Sequence, residues 1–143
     1  MSYTFCNLIQ IGPTFYITSD GTSGGTEYIA TVKGTDAFEN LNGQDIRALS
    51  GTVYQQITDD VGDIIDAPID ITFPLLKVSD RDAILAVINA YAGTPFTLVI
   101  TGDPGTYTGT AKPAFSPKPV EYSGEFRNGK LTNVTVHLLM TLT

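Results

Sequence analysis

Apolar and polar residues alternate with a period of two through most of this chain, the pattern of strands with one buried face. The clearest run is Ile65, Ala67, Ile69, Ile71, Phe73 and Leu75, with Asp66, Asp70 and Thr72 on the opposite side. A one-residue slip would turn that whole series to water, so its register is well specified. Upstream, Leu49, Gly51, Val53, Gln55 and Ile57 share a face, and Asp59-Asp60-Val61-Gly62-Asp63 has the composition of a turn. Together these segments predict a long hairpin from about Arg47 to Leu76. Pro68 and Pro74 cannot donate to a ladder, so they predict an edge strand or bulges there.

One stretch departs from this period. Ile84, Val87, Ile88 and Tyr91 recur at helical spacing, widened by Leu85 and Ala92. Ser79 as a cap, with Asp80 and Asp82 at the positive end of the dipole, predicts a helix from about Ser79 to Tyr91. Gly93 fits a left-handed stop, and Pro95 cannot continue the helix.

Phe5, Ile9 and Ile11, then Phe15 and Ile17, predict two short strands broken at Gly12-Pro13. A polar loop runs from Asp20 through Gly24 and Gly25, and Tyr28, Ala30 and Val32 mark another strand. Residues 34–45 suggest a helical turn or folded loop, with Asn42-Gly43 as a turn. Phe96, Leu98 and Ile100 predict a strand paired across Asp103-Pro104-Gly105 with residues 107–111. Residues 112–119 hold three prolines and read as an extended connection. Asn128-Gly129 is the strongest hairpin signal, joining residues 122–126 to 131–142, where Val134, Val136, Leu138, Met140 and Leu142 share a face. The sum is a mainly β (α+β) fold: an antiparallel β-sandwich or curved sheet with one helix packed against it.

The chain has 143 residues, which suits one domain, and it can bury enough surface to fold without a metal or disulfide. Its net charge of −7 argues against holding nucleic acid through phosphate neutralisation, although such a surface could let DNA pass without sticking. Cys6 is the single cysteine, so no disulfide forms within the chain. The segment MSYTFCNLIQIG has no basic region followed by an apolar run, so synthesis in the cytoplasm is expected. No apolar stretch approaches the roughly 20 residues of a membrane helix.

Catalytic chemistry is sparse. His137 is the single histidine and lies on a strand face with Thr135, Leu139 and Thr141, a setting for a surface or interface residue. Cys6 stands between Phe5 and Asn7 with no base beside it in sequence. Asp59, Asp60, Asp63 and Asp66 are the densest acidic group, but their spacing lacks the glycine and later glutamate of a calcium loop. Eleven Asp and four Glu could supply a sugar-hydrolysing pair, yet there is no tryptophan to stack a sugar. The Gly24-Gly25 loop lacks the Gly-Lys-Ser/Thr of a phosphate cradle. No cofactor and no metal are expected. Tyr28, Tyr54, Tyr107 and Tyr122 suit either subunit contacts or plain strand packing.

The order of elements resembles a known family. Arg47-Ala48-Leu49-Ser50-Gly51-Thr52-Val53 opens a hairpin and Ile69-Asp70-Ile71-Thr72-Phe73-Pro74-Leu75 follows. A helix comes next, Asp82-Ala83-Ile84-Leu85-Ala86-Val87-Ile88-Asn89-Ala90-Tyr91-Ala92-Gly93. A short strand pair with Tyr107-Thr108-Gly109 and a closing strand from Asn133 to Leu142 complete it. Over residues 45–143 this is similar to the tail-tube-like domain shared by tube proteins, distal tail proteins and minor tail proteins of long-tailed bacteriophages. The resemblance implies a single domain over residues 1–143 that forms a ring, commonly a hexamer, around a DNA channel in the virion tail. It favours a distal-tail or adaptor component, with the main tube subunit as the alternative. It also implies neighbouring tail proteins as partners, DNA passing without specific binding, and no membrane. Asp66 and Asp70 become candidates for the lumen. Asp59, Asp60, Asp63, Asp20, Gly24 and Gly25 become candidates for contact between rings. A glycan- or ligand-binding β-sandwich module is the competing class, and a carboxylate hydrolase a third.

Overall fold

The computed structural model describes residues 3–13, 15–18, 26–27, 30–38, 42–59, 66–102, 105–115, 118–122 and 125–142. In chain order the elements are β1 (Tyr3–Ile11), β2 (Phe15–Thr18), β3 (Thr26–Glu27), β4 (Thr31–Lys33) and a 3₁₀ turn (Thr35–Phe38). Then come β5 (Asn42–Arg47), β6 (Val53–Asp59), β7 (Ala67–Lys77) and α1 (Val78–Asn89). The chain closes with β8 (Phe96–Gly102), β9 (Thr106–Pro113), β10 (Val120–Glu121), β11 (Phe126–Arg127) and β12 (Lys130–Leu142). The fold is mainly β with one α-helix, and its antiparallel sheet is strongly curled.

The main sheet has ten strands in the order β3-β2-β1-β4-β7-β12-β9-β8, with β10 and β11 both on β12. β8 also pairs with β1, so the path β1-β4-β7-β12-β9-β8 returns to its start. Among the described residues only the short β2–β3 contact is parallel. Curling turns one face of every long strand inward. Ile9, Ile11, Val32, Ile69, Ile71, Phe73, Leu98, Ile100, Val134, Val136, Leu138 and Met140 are buried there. Each such side chain contributes roughly 1.5–3 kcal/mol. Phe15 and Phe73 meet edge to face at 6.5 Å between ring centres.

The alternation fails at one place, in two strands at once. In β7 the buried residues are Ala67, Ile69, Ile71 and Phe73, then Leu76, while Leu75 is 37% exposed. In β12, Leu131 is buried out of phase with Val134, and Asn133 between them has φ +52°. Leu75 therefore leaves the face that its spacing assigns to it. Pro74 and Asn133 stand where the alternation breaks in both strands, and Leu76 and Leu131, which pair in register, are both buried beyond it.

The expected hairpin over residues 47–76 is not formed. β6 pairs with β5, giving a separate two-stranded ribbon, and β7 pairs with β12 and β4. Leu49 and Gly51 lie in the ribbon's turn, and Asn42-Gly43 opens a strand rather than making a turn. Leu49-Ser50-Gly51 reverses the chain because Gly51 adopts φ +89°. Nor is β7 an edge strand. β4 covers only Asp70–Thr72 of it, and Pro68 and Pro74 lie just outside that stretch, where their missing N–H is not asked to pair with β4.

Helix α1 packs against β7 and β2 through buried Ile84 and Ile88. Its N-cap is Lys77 with extended backbone and no capping side chain, so the Ser79 cap is not used: β7 runs directly into the helix. It ends at Ala90, before Gly93, whose φ is +97°. The Asn128-Gly129 turn forms, with φ +53° and +75°. The partner expected over residues 122–126 is split, however, into β10 and β11.

Candidate interaction surfaces

The outer face of β7, β12 and β9 carries a polar stripe. Asp70 and His137 are directly opposed in register, and His137 Nδ1 lies 2.6 Å from Asp70 Oδ1. The Thr72 and Thr135 hydroxyls meet at 3.2 Å on the neighbouring pair. Asp66, at φ +56°, precedes β7. Its N–H donates to Thr141 Oγ1 at 3.1 Å, and the Thr141 hydroxyl donates to Asp66 Oδ1 at 3.4 Å. Lys112 Nζ from β9 sits 3.0 Å from Asp66 Oδ2.

Asp66 and Asp70 thus share one outer face, as their alternation implies, but each carboxylate already has a basic neighbour. Such partly exposed pairs contribute roughly 0.2–1 kcal/mol each. The sequence shows His137 on a strand face with no sign of its partner. Asp70 and Glu121 reach it only because β7 and β10 flank β12.

His137 Nε2 is buried and has no hydrogen-bond partner among the described residues, with Glu121 Oε2 at 3.5 Å. Asp70 orients the ring, and Nε2 is shut from solvent. Among the described residues no group of three or more His, Cys, Asp and Glu could hold a metal ion. Beside the stripe, Pro68, Asp70, Phe115, His137 and Leu139 border a cleft of about 420 Å³, with Phe115 71% exposed at its rim.

The second surface is the ribbon. Among the described residues, no strand of the main sheet pairs with it. Ile46, Val53 and Tyr54 are all exposed on its strands, and Leu49 is fully exposed at its tip. An isolated two-stranded hairpin is marginally stable in water, so this ribbon gains from a covering partner.

Asp59 ends β6. Asp60, Asp63, Asp20, Gly24 and Gly25, the other candidates for contact between rings, lie outside the described residues, as does Tyr28. The remaining tyrosines separate. Tyr54 is exposed on the ribbon. Tyr107 packs on Phe38 at 5.4 Å. The Tyr122 ring lies under the Arg81 guanidinium at 5.7 Å. No helix of the described residues is long and apolar enough to cross a membrane. Comparison with known proteins finds no family model, no curated protein and no solved structure that matches this chain.

Proposed function

We propose that this protein is a structural component of a bacteriophage tail, forming a ring around the DNA channel at the distal-tail or adaptor position. The resemblance of residues 45–143 to tail-tube-like domains supports this reading, as does the curled sheet with one packed helix. The observation that carries it is the free-standing β5–β6 ribbon, with Ile46, Leu49, Val53 and Tyr54 turned to water. A ribbon that exposes apolar residues on its strands and at its tip is suited to assembly. Because β8 pairs back on β1, the sheet borders among the described residues that a second copy could extend are the ribbon, β3 and the short β10 and β11.

Head-to-tail contacts between identical copies close into rings, and a hexamer is the expected symmetry. A net charge of −7 would let DNA slide through rather than adhere. Asp66 and Asp70 are the proposed lumen carboxylates, tempered by Lys112 and His137. A ring structure that puts both on its outer wall would remove that assignment. The main tube subunit is the alternative within the same class. A glycan- or ligand-binding module is the reading from another class, favoured by the Phe115-rimmed cleft. Negative-stain images of the purified protein test the proposal: rings or short tubes are expected, and a field of monomers that bind a glycan array would overturn it.

A further inference from the structure

His137 of β12 organises the surface around the Phe115-rimmed cleft. The Ala114 N–H donates to the His137 carbonyl at 3.1 Å, and the His137 N–H donates to the Pro119 carbonyl at 2.8 Å. Ala114 precedes Phe115, so the rim is tied to the strand at His137. The same residue fixes a carboxylate. A carboxylate only accepts, so at 2.6 Å His137 Nδ1 is the donor and Asp70 Oδ1 the acceptor. Asp70 Oδ2 remains for another donor. It has no hydrogen-bond partner among the described residues, and the Asp70 side chain is 36% exposed.

The cleft, of about 420 Å³, falls within the range of about 300–1,000 Å³ of small-molecule sites. Pro68, Phe115 and Leu139 form apolar walls. Asp70 is the one carboxylate among the described residues that line it, and no lysine or arginine does. Lys112, opposite Leu139 in register, is held by Asp66 at 3.0 Å. His137 completes the lining with its Nε2 shut from solvent.

We propose that this cleft binds a small organic cation, an ammonium group on a compact apolar body. The ammonium donates to Asp70 Oδ2, a charge-assisted bond to a carboxylate that His137 already orients. The body lies against Pro68, Leu139 and the Phe115 ring, whose face also attracts the cation. The same walls turn other chemistries away. An anion meets Asp70 and no lysine or arginine to balance it. A neutral apolar molecule covers the carboxylate without pairing it, which costs binding. A sugar calls for several converging polar groups, and the cleft offers one open carboxylate oxygen. The net charge of −7 also draws cations to the surface. The site stands apart from the self-assembly proposed above, so the loss of either leaves the other in place.

Isothermal titration of the whole chain with phenethylammonium at low salt tests the site. Saturable one-to-one binding is expected. Asp70→Asn keeps an oxygen toward His137 and loses the charge, and Phe115→Ala removes the aromatic wall at an exposed position. Each should weaken binding at least about tenfold, the loss of one charge-assisted or cation–π contact. Phenethyl alcohol, the same body without the charge, should also bind at least about tenfold more weakly. Phenylacetate should give no binding. In heteronuclear NMR the amine should shift the amide signals of Ala114 and His137. Circular dichroism checks that the variants fold; Phe115→Ala and the alcohol keep the test valid if Asp70→Asn does not. Absence of saturable binding, binding undiminished in either folded variant, or equal binding of phenethyl alcohol or of a methyl glycoside overturns the proposal.

Discussion

Pro74 of β7 and Asn133 of β12 stand opposite one another, between the paired residues Phe73–Val134 and Leu75–Thr132, and strict alternation breaks in both strands there: β7 changes its buried face, and in β12 Leu131 is buried beside Thr132. Asn133 makes the change by adopting φ +52°, a left-handed conformation that asparagine tolerates better than most residues. Pro74 faces it without a donor to satisfy. The register is kept through the inversion, so Leu76 and Leu131 stay together in the core.

The first prediction concerns this crossover. Asn133→Val puts a β-branched residue at positive φ and should cost about 1–2 kcal/mol. Asn133→Gly, which suits that conformation, should lose less than about 1 kcal/mol. Urea unfolding of the two variants measures the difference.

Two glycines separate crowding from backbone conformation. A Cβ on Gly109 would lie 2.0 Å from the Thr141 carbonyl oxygen, which belongs to the paired strand and cannot step aside. Gly109→Ala should therefore cost about 3 kcal/mol or more. At Gly51 a Cβ would meet nothing within 4 Å, and only the φ of +89° resists it. Gly51→Ala should cost about 1 kcal/mol, confined to the ribbon tip. Thermal unfolding should show a large drop in Tm for the first variant and a small one for the second.

The Asp70–His137 pair should behave as one hydrogen-bonded unit. Asp70→Ala removes the acceptor at Nδ1 and should destabilise by about 1 kcal/mol. Asp70→Asn keeps an oxygen in place and should lose less. A double-mutant cycle with His137→Ala should return a coupling of about 0.5–1.5 kcal/mol. A coupling near zero would mean that the 2.6 Å contact adds nothing to stability.

Strand content, the single helix, the Asn128-Gly129 turn and most of the core were legible in the sequence, because alternation and helical spacing report burial directly. Pairing was not. Val53 and Ile57 alternate as a buried strand would, yet β6 pairs with β5 and Val53 is exposed. Local pattern cannot say which strand lies alongside, nor tell a core face from a face awaiting another subunit. The Leu75–Leu76 inversion escaped for a related reason: strict alternation carries no mark of the point where a strand twists over. The candidate site was half visible. Asp66 and Asp70 fall on one face by spacing alone, but Lys112, Glu121 and His137 come beside them only through the order β7-β12-β9 with β10 on β12.

The ribbon should also be the least protected structured segment of the isolated chain. Its amides, from Asn42 to Arg47 and from Val53 to Asp59, pair only with each other. Hydrogen exchange there should be fast in dilute protein and slow in assembled protein, while β7 and β12 stay protected in both.

The central claim is that copies of this chain build a closed collar. Native mass measurement of the purified protein across rising concentration tests that claim most directly. The account predicts one dominant species at a fixed integer multiple of the chain mass, expected to be six. A single-chain mass that persists to the highest concentration, with no discrete larger species, would contradict it.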